Sequence, residues 1–177
     1  MMNMIKAIRR IVTGDNKERK STIIIDDSPF HYGTIHQFWV TRETPVDNSK
    51  TIDLAGIQLL PLEPSPSGTI FRFFEIPPLD PKLTNQQLEN LAVQGLSTLK
   101  ALHCRTDTSK HPYMHKTETI DYIIVLEGEV TLLLEETEVE LKPFNVVIQR
   151  GTNHAWINKS SNRVLLAGVL IDAKLDD

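Results

Sequence analysis

The chain has a single cysteine, Cys104, so no internal disulfide can staple it and a reducing compartment suits it. It has no excess of positive charge. Lys+Arg number 19 against 23 Asp+Glu, a formal net charge of -4, with a pI of about 5.9. That balance excludes a broad basic field for nucleic acid or anionic lipid. Long apolar runs are also missing. The opening MMNMIKAIRRIVTG has no stretch long enough for a signal peptide or a membrane span. The expectation is a cytoplasmic protein with neither a nucleic-acid nor a membrane partner. At 177 residues, 40% hydrophobic and 24% charged, the chain fits one globular domain with a sizeable core.

Short β-patterned runs fill the first half. Ile5, Ile8, Ile11 and Val12 sit among basic residues, which suits either a helical turn or a strand ending at Gly14. Residues 21–26 are β-branched and stop at Asp-Asp-Ser-Pro, a strand and its turn. Residues 37–42 alternate, placing Phe38 and Val40 on one face and Trp39 and Thr41 on the other. Proline-rich, polar residues 44–68 surround a short apolar run at 57–60. TIFRFFEI at Thr69–Ile76 is a strong strand stopped by Pro77-Pro78. Leucines near helical spacing, with Thr84 and Gln87 as a capping box, predict a helical insertion within residues 80–104. Gly95 should weaken or interrupt that helix by roughly 1 kcal/mol relative to alanine. Residues 1–79 then read as strands that pack on or extend a core at 105–172, the whole 1–177 being one domain.

The densest pattern is HPYMHKTETIDYIIVLEGEVTLLLEETEVELKPFNVVIQRGTNHAWIN, residues 111–158. His115, Thr117 and Asp121 share one parity, so in a strand their side chains face one side. Glu127-Gly128 is a tight turn, Val130–Leu134 the returning strand, 139–141 and 145–149 two more, and Gly151-Thr152-Asn153 leads into His154. Regularly spaced short strands argue for a small antiparallel barrel or sandwich.

These residues resemble the cupins. Asp121-Tyr-Ile-Ile-Val-Leu-Glu-Gly128 is similar to the second part of the first cupin motif, with Asp121 where that family has glutamate. His115 falls on the first histidine of its His-x-His pair and Thr117 on the second. Gly151-Thr-Asn-His154-Ala-Trp-Ile-Asn158 is similar to the second motif, with Gln149 for its proline and Phe144-Asn145 for its Gly-Asp. The resemblance implies an all-β, cupin-type antiparallel barrel (a jelly roll) with an N-terminal β extension, and pairing through N-terminal strands into a homodimer. It also implies that His115, Asp121 and His154 hold a divalent metal (Fe, Zn, Mn or Ni) through two imidazoles and a carboxylate, open positions remaining.

The other reading is a barrel that has lost its metal, with Asp121 and Thr117 simply hydrogen-bonded. Trp156 shares the parity of His154 and suits either a pocket wall or the core. Arg72 would clamp a carboxylate if it points inward and be solvated if outward, as is commoner. Gln149 and Thr117 complete the expected small-molecule contacts. His31, His36 and His103 have no site-like spacing, and Cys104 has no partner motif. Three functions follow: a metal-dependent oxygenase, decarboxylase, isomerase or lyase acting on a small organic acid or phenolic metabolite, a binding module of the same fold without metal, or a stability or assembly role with the cavity filled by side chains.

Overall fold

The computed structural model describes residues 8–50, 52–56 and 61–175. Ile5 and the run at 57–60 lie outside them. β1 (Arg10–Asp15) and β2 (Ser21–Asp27) form an antiparallel hairpin of their own, so Ile11 and Val12 belong to a strand. Arg10 ties this hairpin to the body. It forms ion pairs of 2.8 Å with Asp27 and Asp53 and donates to the Phe38 carbonyl at 3.0 Å.

β3 (Phe30–Tyr32), β4 (Ile35–Thr41) and β5 (Thr69–Ile76) precede the single α-helix among the described residues, α1 (Asn85–Thr98). The capping box at its start forms as the sequence suggests: Thr84 accepts from the Gln87 amide, and Gln87 reaches back to the Thr84 amide at 2.9 Å. Helical residues continue through Gly95, where Leu96 and Ala92 are buried on one face and offset the weak propensity. A 3₁₀ turn at Leu102–Cys104 leads on to β6 (Thr119–Glu127), β7 (Val130–Leu134), β8 (Glu138–Leu141), β9 (Val146–Arg150), β10 (His154–Ile157) and β11 (Val164–Asp172).

Six strands make one sheet in the order β3-β4-β5-β11-β6-β9, and three make a second in the order β10-β7-β8. The two sheets close on a common core of Ile123, Val125, Val130, Leu132, Leu141, Val164 and Leu166. This is the all-β barrel expected from the motif region, with β4 and β5 extending its larger sheet. Gly128 turns β6 into β7 at φ +81, and an added Cβ would lie 2.9 Å from the Arg163 carbonyl, so only glycine fits.

One facing differs from the alternation. A bulge between Gln37 and Trp39 shifts the register of β4 on β5. Val40 therefore packs inward with Ile70 and Leu170, whereas Phe38 stacks on Phe71 at 4.9 Å and lies tilted against Phe73 at 4.3 Å. Phe38 and Val40 do not share a face, because one extra residue reverses parity.

Candidate functional site

Across the inner face of the large sheet runs a row of buried polar side chains: Gln37, Arg72, Asp121 and Gln149. Register puts them there. Gln37 pairs with Arg72, Arg72 with Gly168, and on the far side of β11 Asp121 pairs with Gln149. Gly168 lets the sheet face close tightly, since an added Cβ would lie 3.0 Å from both Ile123 and Phe74.

Arg72 is 2% exposed and points inward, against the commoner outward arrangement. Its Nη2 donates to Gln37 Oε1 at 3.3 Å and to the Pro61 carbonyl at 3.1 Å. Its Nε and Nη1 are buried without a hydrogen-bond partner, and so is Asp121 Oδ1. Burial drives both groups toward neutrality. The Arg72 pKa is pushed down to about 10, partly offset by the Asp121 charge. Asp121 is pushed up to about 6, against the pull of the Thr119 hydroxyl and of Arg72.

His115 and His154 are brought together. Their backbones exchange hydrogen bonds of 2.9 and 3.0 Å, and their rings stand 4.4 Å apart. Each Nδ1 lies 2.9 Å from a carbonyl two residues upstream, Tyr113 for His115 and Thr152 for His154. A carbonyl only accepts, so Nδ1 carries the proton and Nε2 keeps a lone pair. Burial lowers both pKa values; that of His154 falls to about 3, with His115 adding to the effect. Both rings are neutral at neutral pH.

The remaining expected residues are spoken for locally. Thr117 shares a 2.7 Å hydroxyl contact with Thr119. Gln149 donates to the Thr152 carbonyl at 3.0 Å and to its hydroxyl. Trp156 stands edge-on to His154 at 5.8 Å and packs against the main core. Asn158 is a staple, donating to the Ile76 and Asn162 carbonyls at 2.9 and 2.7 Å.

Of the three donors expected for a divalent metal, His115 and His154 stand side by side. The Nε2 lone pairs of the paired, neutral imidazoles are suitable ligands. The third expected donor, Asp121, keeps one buried, unpartnered carboxylate oxygen, Oδ1. Among the described residues, the trio of His, Cys, Asp or Glu whose donor atoms all lie within 4.8 Å of one another is Glu63, His103 and Cys104. Sequence reasoning missed that cluster: Glu63 lies some 40 residues upstream in a proline-rich loop, and nothing local links it to the other two. The surface clefts beside α1 and the 107–112 loop contain no residue of the inner row. Unmet hydrogen-bonding capacity marks the barrel interior.

No protein-family model matches the chain. Phomopsin biosynthesis cluster protein C' of Diaporthe leptostromiformis is 32% identical over 126 residues, 71% of this chain and 53% of that protein. This chain thus spans about half the length of that relative. The cupin-domain-containing oxidoreductase srdD of Neurospora crassa is 28% identical over 96% of this chain and 78% of that protein. Among solved structures, an RmlC-like cupin family protein of Methanocaldococcus jannaschii is 14% identical, covering 59% of this chain and 70% of that one, with a TM-score of 0.38.

Proposed function

This chain belongs to the cupin superfamily, and from that premise we propose that its barrel holds a small hydroxylated organic acid, the carboxylate on Arg72 and the hydroxyl at Asp121. The observation that carries this reading is the pair of unpartnered donors on Arg72, buried with the side chain at 2% exposure. A buried polar group left unsatisfied costs about 1–3 kcal/mol, and more when charged. A ligand carboxylate removes that penalty through two charge-assisted bonds in the planar fork that arginine presents. The unpartnered Asp121 Oδ1 supplies the complementary need. As a carboxylate it accepts from a ligand hydroxyl, and with its pKa near 6 it also has access to the protonated form. Trp156 and the apolar core offer an apolar flank, which suits a phenolic acid.

Native mass spectrometry of freshly purified protein tests this. A retained adduct with the mass of a small acid, present in the wild type and absent from Arg72→Met, is the expected result. The same adduct on both proteins overturns the assignment.

The histidine pair favours a second, compatible reading, in which the acid is a substrate. A divalent metal (iron, zinc, manganese or nickel) would rest on Nε2 of His115 and His154 and would supply Lewis acidity or oxygen activation to the bound acid. The chain's own part is to hold both imidazoles neutral and oriented through Tyr113 and Thr152, and to fix the acid beside them. Two of the relatives, from Neurospora crassa and Hypocrea virens, are named cupin-domain-containing oxidoreductases.

A further inference from the structure

Glu63, His103 and Cys104 come from two segments distant in sequence, and the Glu63 charge is felt at both His115 and Asp121. The 3₁₀ turn after α1 fixes two of them. Cys104 is buried with Leu96 and Ala101, its amide donates to the Ala101 carbonyl at 3.1 Å, and its carbonyl accepts from Lys116 at 2.8 Å. The loop carrying Glu63 is stitched to the same place, because the Leu62 amide donates to the Leu99 carbonyl at 2.9 Å. Glu63 Oε1 accepts from the Glu118 amide at 2.8 Å, so the carboxylate is itself held by the backbone.

The donor atoms converge. His103 Nε2 lies 2.7 Å from Glu63 Oε2 and 3.5 Å from Cys104 Sγ, and all three lie within 4.8 Å of one another. Ligand atoms on a tetrahedral zinc ion stand roughly 3.2–3.6 Å apart, given metal–ligand distances of about 2.0–2.3 Å. The sulfur–nitrogen spacing already matches, and the nitrogen–oxygen contact has to open by about 0.5 Å. The His103 side chain is 67% exposed, leaving a path from solvent and room for a fourth, water ligand.

We propose that Glu63, His103 and Cys104 form a divalent transition-metal site of the zinc class, separate from the His115–His154 pair. Thiolate, imidazole and carboxylate together select zinc or cobalt over magnesium and calcium, which take all-oxygen shells. On binding, the metal replaces the thiol proton of Cys104 and any proton held between His103 and Glu63, and these protons leave to solvent. Without metal the same residues are a hydrogen-bonded His103–Glu63 pair beside a buried thiol.

Cobalt(II) added to the full chain tests the site, because thiolate ligation produces a sulfur-to-cobalt charge-transfer band in the near ultraviolet. The expected result is a band that saturates at one equivalent and is abolished by added zinc. His103→Ala changes a largely exposed side chain and should leave the fold intact. It should weaken cobalt binding by at least about tenfold, since losing even an outer partner of a ligand costs that much. Glu63→Gln, which keeps the acceptor for the Glu118 amide, should weaken it as well. His154→Ala should leave the band unchanged, which separates this site from the barrel histidines. Absence of the band in the wild type, or a band of full affinity in both His103→Ala and Glu63→Gln, overturns the proposal.

Discussion

Burial of His115 and His154 as neutral rings governs how the protein meets acid. The unfolded chain takes up a proton on each histidine below about pH 6.5, whereas native His154 resists protonation until about 3. Its stabilising contribution is complete above about 6.5 and is lost as the pH falls toward 3; His115, also lowered, acts in the same sense. Asp121 acts oppositely. Raised from 3.8 to about 6, it holds a proton in the fold that the unfolded chain has released. Its contribution is complete below about 4 and is lost as the pH rises through 6. Between about pH 4 and 6 the imidazoles make stability of the metal-free protein rise with pH, and Asp121 blunts that rise. Asp121→Asn removes the opposing contribution and should steepen that rise. Urea midpoints measured across this range decide it, and a slope no steeper in the variant contradicts the assignment. None of this could be read from the sequence. The inward facing of Arg72, against the commoner outward one, left no mark in the sequence, because Phe71 and Phe73 on the other side of β5 are also apolar and erase the period-2 signal.

At the scale of elements, local pattern served well wherever a turn or cap announced itself. Thr69–Ile76, Val130–Leu134 and the Thr84–Gln87 cap are found where composition placed them. The strand read at 145–149 is found one residue later, at Val146–Arg150. The reason lies in the preceding turn. Phe144 adopts φ +71 at 84% exposure, in the place where the resembling motif has glycine, and Asn145 Oδ1 accepts from the Lys142 amide at 2.9 Å to close the turn. A left-handed conformation costs a residue with a Cβ roughly 1–2 kcal/mol, and glycine returns about 0.5–1 kcal/mol of that as unfolded-state entropy. Phe144→Gly should therefore stabilise the protein by about 0.5–1 kcal/mol, read as a higher melting temperature. A lower melting temperature would mean that the exposed ring makes contacts that outweigh its backbone strain. The bulge that separates Phe38 from Val40 had no such marker, since neither glycine nor proline interrupts β4.

Over the whole molecule, the two motifs were enough to foresee an all-β barrel and the meeting of His115 with His154, because a shared register enforces it. What remained hidden depends on segments far apart in the chain. Glu63 reaches His103 through a loop, and Arg72 reaches the Asp121 side of the sheet across β11. Long-range placement of this kind leaves no periodic trace. The central claim is that Arg72 anchors a ligand carboxylate inside the barrel. Calorimetric titration of the wild type and Arg72→Met with a panel of small hydroxylated acids, aliphatic and aromatic, and with their uncharged amides tests it most directly. At least one acid should bind the wild type while its amide does not. Arg72→Met should lose about a hundredfold in affinity, two charge-assisted bonds at roughly 1.5 kcal/mol each. Equal binding of acid and amide, or equal affinity of wild type and variant, would contradict the account.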